Sequence, residues 1–325
     1  MSISSPPFGE EGGRAESGGG VPPEVKGEPL HLPTDSPTLH KGVGRRFISF
    51  VAIDWSGAKG RRHKGIAIAE ARGDAAPRLV GPGHVWSRTE VADWLVKRAA
   101  EEPTLFGFDF SFAPPHAEQG AYLPGEADVP DTAREFWAYV DRMAPDEDLG
   151  AASFLEQVHR RHFYFGIADG VKADFVRFRQ CDARLNAQGG RKTASAYDAI
   201  GAAQVAKASF SGMRLLHRIN GKVAIWPMDP LPVEGSAVVE IYTRIYLRNA
   251  GLSGTKLRTR ADLNRALRGL RSPPARLRFE PNDHQTDALV TAAGMRAHAS
   301  HPRAFLPEGL TAYLAQTEGW TFGIV

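Results

Sequence analysis

From residue 47 to residue 110 the chain reads strand, strand, strand, helix, strand, and few folds accept that order. Residues 47–54 are an apolar run that ends on Asp54 and passes into a glycine turn. Residues 65–71 and about 78–86 give two more strand signals, set apart by turn-rich residues 57–65 and 73–77. That spacing predicts an antiparallel meander. In residues 88–101, Val91, Trp94, Leu95 and Ala99 recur at helical spacing. A fourth strand over 104–110 carries Asp109 near its end and stops at Pro114-Pro115. Short apolar strands flanking a helix imply parallel crossovers, so the expected class is α/β with a mixed sheet.

The segment at about 113–222 has a different character. Helical stretches are predicted near 131–144, 150–160 and 195–209, joined by loops of Gly, Pro and charge. It reads as a helical insertion capping the sheet before a fifth core strand. Strand signals resume at 223–227 and 236–242, the latter burying Val238, Val239 and Ile241 and presenting Glu240. Residues 256–278 are arginine-rich, with Leu257, Leu263, Leu267 and Leu270 at near-helical spacing, which predicts an amphipathic helix with a basic outer face. A last long helix is expected over 282–298. Residues 1–45, rich in Gly, Pro, Ser and Glu, lack apolar periodicity and are expected to be a disordered tail. Order should begin at Arg46, so the expected organisation is a tail and one domain, 46–325, carrying the insertion.

With 325 residues and 42% apolar content, the chain can bury one large core or two modest ones. It has no apolar run of about 18 residues or more, so no membrane span is expected. No basic-then-apolar leader is visible, and the lone Cys181 excludes an internal disulfide or a multi-cysteine zinc site. Both point to a cytoplasmic protein. The net charge of +3 hides an asymmetry: residues 1–40 hold six acids against Arg14 and Lys26, about −4, leaving about +7 on the remainder. A basic body suits an anionic ligand such as nucleic acid or nucleotide, and ordinary charge scatter fits equally.

Four acids stand at the ends of predicted elements: Asp54, Asp109, Glu240 and Asp287. Each alone also suits a turn or a helix cap. Jointly, carboxylates on adjacent strands and a facing helix would supply the hard oxygen ligands that Mg²⁺ or Mn²⁺ requires. Two such ions can hold a scissile phosphate between them. His284 lies three residues before Asp287 and shares its helix face. Asp283 also suits a residue in the first turn of that helix.

The strand order and the sequence His284-Gln-Thr-Asp287-Ala-Leu resemble the ribonuclease H-like fold and, within it, the final-helix motif of RuvC-type junction resolvases. More of the chain is similar to the domain of unknown function 429 family of that group. The matching pieces are Ile53-Asp54-Trp-Ser-Gly-Ala-Lys59, Gly107-Phe-Asp109-Phe-Ser-Phe, Val239-Glu240-Ile-Tyr-Thr-Arg244, Asp283-His-Gln-Thr-Asp287-Ala-Leu and Glu318-Gly-Trp-Thr-Phe-Gly323. The resemblance implies a ribonuclease H-like mixed sheet over 47–325, with Asp54, Asp109, Glu240 and Asp287 as metal ligands and His284 as a further catalytic residue. It departs at Thr243, where many members have proline.

Lys59, Arg61, Arg62 and Lys64 flank the turn after Asp54, where they would reach phosphate oxygens or decorate a solvated hairpin tip. The stretch Gln204 to Gly212 resembles one in the same family, and its Lys207 and Ser209 could form an anion-binding turn. His159-Arg-Arg-His162 and Phe163-Tyr-Phe165 interleave basic and aromatic residues, as base-stacking surfaces do and as the packing of a helical cap also requires. The expected function is a Mg²⁺- or Mn²⁺-dependent nuclease or phosphodiesterase, a hydrolase acting on a nucleic-acid or nucleotide phosphodiester. The alternatives are a non-catalytic nucleic-acid-binding module of the same fold, or an ATP-dependent phosphotransferase.

Overall fold

The computed structural model describes residues 47–189, 193–200, 205–252 and 256–325. The tail expected over 1–45, the start of order at Arg46 and Gln204 lie outside the described residues.

Among the described residues, six strands form one mixed sheet: β1 (Ser49–Asp54), β2 (Ala67–Arg72), β3 (Arg78–Leu79), β4 (Thr104–Phe108), β5 (Ala224–Ile225) and β6 (Ala237–Glu240). Their order is β3-β2-β1-β4-β6-β5. The first three pair antiparallel, as the expected meander. The strands β1, β4, β6 and β5 then run parallel to one another. The helix α1 (Arg88–Glu101) precedes β4, so the parallel pairing of β1 with β4 is reached through a crossover.

Each face of the sheet has its own core, and strand alternation assigns the residues. Phe50, Ala52, Leu105, Ala237, Val239 and Ile241 pack with α7 (Asp283–His298). Val51, Ile53, Phe106, Phe108 and Val238 pack on the other face with α1, α2 (Ala133–Met143) and α4 (Val205–Ile219). Both faces are covered, which explains why β1 is buried at every position and reads as a continuous apolar run.

Helix α7 lies unusually close to the sheet because glycine permits it. A Cβ on Gly107 of β4 would stand 2.7 Å from the Met295 sulfur of α7, and one on Gly294 would stand 2.4 Å from the ring of Tyr246, on the helix that follows β6. Asn282 caps α7 by accepting from the Gln285 N–H while the Gln285 side chain accepts from the Asn282 N–H, so the helix start is fixed.

Several elements differ from expectation. The third strand shrinks to two residues. Of the helix expected over 195–209, the described helical part is the start of α4, Val205–Ile219; before it, Asp198 forms a bridge with Tyr164, and Tyr197 and Ala199 exchange backbone hydrogen bonds with Tyr164. Over 150–160 there is only a π-helical turn, Phe154–Val158, followed by a 3-10 turn, Arg160–His162. The basic stretch forms α6 (Arg260–Gly269), which is closed off by Pro273-Pro274. Three helices were not anticipated: α3 (Gln180–Ala187), α5 (Thr243–Asn249) and α8 (Ala312–Thr317). Each spans about two turns or fewer, too short for its periodicity to register. No described helix is long and apolar enough to cross a membrane.

Candidate functional site

Alternation along β1 puts Asp54 on the α7 face with Phe50 and Ala52. Ile53 pairs with Phe108, so Asp109, the next residue after β4, follows beside Asp54 on that same face. Asp287 reaches them from the second turn of α7. The three aspartates line one depression together with Ile241, Thr243 and Thr291. Thr243 opens α5, and its hydroxyl bonds that of Thr291 on α7 at 2.9 Å, so both threonines form part of the wall.

The electrostatics of this set are unfavourable to ionised carboxylates. Burial, then the neighbouring Asp287 and Asp283, hold the Asp54 carboxyl well above its usual range. Burial and Asp54 do the same to Asp109, against the opposing pull of the Trp55 N–H, which donates to Asp109 Oδ1 at 2.7 Å. Burial and Asp283 push Asp287 up to about 6, even though His284, Arg244 and Lys256 draw it down. Among the described residues, no lysine or arginine forms an ion pair with any of the three.

Glu70 on β2 shows how the same fold treats a structural acid. Its own burial would raise it, but hydrogen bonds from Arg98, Ser49 and Arg78 bring it down to about 2. Two guanidinium groups pair directly with Glu70, whereas no arginine or lysine among the described residues pairs with any of the three aspartates. Burial without a paired cation is what raises the three aspartates.

His284, exposed on the first turn of α7, brings Nδ1 to 2.8 Å from Asp54 Oδ1. With Asp54 ionised, the ring N–H is the donor. Asp283 points away into an ion pair with Lys256.

Glu240 does not join the aspartates. Alternation on β6 turns it to the opposite face, and the position beside Asp109 belongs to Ile241. There Glu240 is buried against Arg179, whose Nη1 and Nη2 donate to its two oxygens at 2.6 and 2.5 Å. The Thr321 hydroxyl adds a bond at 2.6 Å and the Phe112 N–H one at 2.8 Å. Arg179 also holds Asp182, and nearby Glu318 accepts from the backbone N–H groups of His116, Ala117 and Gln180. Glu240 thus anchors the loop that leaves Asp109, and its expected role as a metal ligand is replaced by a scaffold role.

The expected substrate-binding residues are also engaged elsewhere. Lys59 pairs with Glu156 at 2.7 Å and Lys207 with the other oxygen of Glu156 at 3.4 Å. Ser209 is fully buried and accepts from the Ser111 N–H, so it faces the core and no ligand. Arg61 pairs with Glu147 and Arg62 with Glu90, while Lys64 is exposed. The turn after Asp54 is held from behind. Buried Arg88 donates to the carbonyls of Ser56 and Ala58, and a Cβ on Gly57 would lie 2.3 Å from the backbone of Lys207 and Ala208. In the His159–Phe165 stretch the packing alternative prevails: Phe163 is buried against Phe210, and the Arg160 guanidinium lies 4.2 Å over the Phe165 ring.

Arg244 and Lys256, the cations nearest Asp287, escaped sequence reasoning as site residues. The position of Arg244 four residues after Glu240, just past the end of β6, was the available signal.

Hard oxygen donors with raised pKa values fit a divalent cation of the Mg²⁺ class, which needs one or two carboxylates and completes its shell with water. A tighter ligand trio exists elsewhere: among the described residues, Glu126, His159 and His162 bring their ligand atoms within 4.8 Å of one another. No family model, curated protein or solved structure matches this chain.

Proposed function

We propose that the protein is a divalent-metal-dependent hydrolase of phosphodiesters, a nuclease or phosphodiesterase built on a ribonuclease H-like sheet of the domain of unknown function 429 type. The single observation that carries this reading is the convergence of Asp54, Asp109 and Asp287 with no lysine or arginine, among the described residues, ion-paired to any of them. The sheet order supports it: an antiparallel meander joined through β1 to parallel β4 and β6, with the acids at the ends of the two central strands and on the helix across them.

Asp54 and Asp109 would hold Mg²⁺ or Mn²⁺, with Asp287 completing the set. Bound there, the ion would lower the pKa of water and stabilise the oxygen that leaves. The chain supplies the rest. The Trp55 N–H and the short reach of α7 over Gly107 fix where Asp109 and Asp287 point. His284 orients Asp54 through Nδ1 and, being exposed, presents Nε2 to solvent for proton transfer. Arg244 and Lys256 provide positive charge beside Asp287 for an anionic substrate.

The depression encloses about 140 Å³ even with open solvent included. Sites that swallow a nucleotide-sized ligand run to roughly 300–1,000 Å³. A substrate lying across the surface, such as a nucleic-acid strand, fits better than ATP enclosed in a pocket.

The test is cleavage of labelled DNA, RNA, branched DNA and dinucleotides with Mg²⁺ or Mn²⁺. Turnover of at least one substrate that is lost in EDTA and in Asp54→Asn, with the circular dichroism spectrum unchanged, is the expected result. Failure of all substrates with both metals would reject the reading.

A further inference from the structure

In the segment between β4 and α4, three side chains turn their ligand atoms toward one point. Glu126 comes from the loop before α2, His159 ends the π-helical turn and His162 lies in the 3-10 turn after it. His162 Nε2 is 2.9 Å from Glu126 Oε1, and His159 Nδ1 is 3.6 Å from the same oxygen. Ligand atoms about 2.0–2.1 Å from a tetrahedral zinc ion stand about 3.3 Å apart, and these two separations bracket that value.

Both histidines are more than nine-tenths buried, and His159 Nδ1 has no hydrogen-bond partner. An imidazole nitrogen buried without a partner is costly, so its orientation needs a reason. The opposite ring atom supplies one: His159 Nε2 is 2.8 Å from the Tyr139 hydroxyl. With Nε2–H donating to Tyr139, Nδ1 carries a lone pair aimed at Glu126. Metal-binding histidines are held in this way, with the far N–H fixed by a second partner. At 2.9 Å the His162 Nε2–H donates to Glu126 Oε1 without a metal, and metal binding would exchange that proton for the ion. One carboxylate oxygen and two ring nitrogens thus lie within 4.8 Å of one another.

We propose that Glu126, His159 and His162 form a zinc site separate from the aspartate depression. In the structure the cation beside Glu126 is the Arg161 guanidinium, whose Nη2 is 2.9 Å from Oε1. Its side chain is 62% exposed, so a metal on Glu126 would displace it into solvent at the loss of its bonds to Glu126 and the Gly125 carbonyl. Two nitrogens and one carboxylate select Zn²⁺ over Mg²⁺, and the partly exposed Glu126 leaves a fourth position for water. The ion would pin the loop at residue 126 to the turns at 154–162, which pack Phe154 and Phe163 over the sheet.

The experiment is calorimetric titration of Zn²⁺ into the full untagged chain, with visible absorption of Co²⁺ as a geometric probe. One equivalent should bind, with a tetrahedral cobalt spectrum, and a large excess of Mg²⁺ should not compete. Glu126→Gln keeps the shape of a partly exposed side chain and should weaken binding by more than about 100-fold, and Tyr139→Phe by about 10-fold. Arg161→Ala removes the competing cation and should tighten binding, which a purely packing role for these residues would not produce. Asp54→Asn should leave zinc binding unchanged whether or not the aspartate site is active. Binding no tighter in the wild type than in Glu126→Gln, or binding lost in Asp54→Asn, would overturn the proposal.

Discussion

His284 Nδ1 stands 2.8 Å from Asp54 Oδ1, a hydrogen bond between residues 230 positions apart. It ties the end of β1 to the first turn of α7, on the rim of the depression that Asp54, Asp109 and Asp287 line. Asp54 is thereby oriented by a group that solvent can reach, while Asp109 is oriented by a backbone N–H. The two acids sit side by side under different control.

Replacing His284 with alanine should separate folding from chemistry. The side chain is 49% exposed, so stability should change by less than about 1 kcal/mol. Loss of a group that transfers protons should lower kcat by about 10²- to 10⁴-fold. Thermal melts and single-turnover rates on the same preparation check both. Activity unchanged within twofold would remove His284 from the mechanism.

In the metal-free protein the aspartates should contribute stability that is lost as pH rises from about 4 to about 7. Buried His298, held down to about 4, contributes in the opposite sense, so the aspartate contribution is read as the difference between wild type and Asp287→Asn. The folded pKa of Asp287, about 6, lies above its ordinary 3.8. Between those values the folded state holds more protons than the unfolded state, so raising the pH favours unfolding, at most by about 3 kcal/mol for this residue. Asp54 and Asp109 are shifted in the same direction. Glu70, lowered from 4.5 to about 2, contributes stability that is complete above 4.5 and lost only as pH falls toward 2, so it does not mask the trend. Urea unfolding in EDTA across this range should show wild type losing stability relative to Asp287→Asn as pH rises. Mn²⁺ at pH 7 should restore the lost stability.

Glu240→Ala should behave as a scaffold mutation. It leaves Arg179 buried with only part of its charge compensated by Asp182, at a cost of about 3 kcal/mol. The loss should be the same with and without Mn²⁺. A variant as stable as the wild type that fails to bind Mn²⁺ would return Glu240 to the metal site.

Gly57→Ala tests the seat of the turn after Asp54. The added methyl would meet the backbone of Lys207 and Ala208 at 2.3 Å, and helix backbone cannot yield as a side-chain tip can. A destabilisation of about 1–3 kcal/mol is expected, with a fall in activity as the turn shifts. Chemical denaturation and initial rates check it.

The central sheet was readable because its strands announce themselves: continuous apolar runs buried on both faces, broken by glycine turns. Asp54, Asp109 and Asp287 were readable for the same reason, since each ends or interrupts an apolar element. Glu240 satisfied that criterion equally well and still faces the other way. Which face a strand residue occupies depends on pairing register, and nothing local in Val-Glu-Ile fixes the partner opposite. Lys207 and Ser209 were misread because their neighbours, Glu156 and Ser111, lie 51 and 98 residues away in the chain. Arg179, which neutralises Glu240, sits in a segment without apolar periodicity. Short helices such as α5 were missed because two turns of sequence carry too few apolar positions to show a period.

The most direct measurement is an anomalous difference map from crystals soaked in Mn²⁺ near neutral pH. A peak bound by Asp54 together with Asp109 or Asp287 is the expected result, and Asp54→Asn crystals soaked in parallel should lack it. Manganese found elsewhere in the same crystals, with the three aspartates bare, would contradict the account.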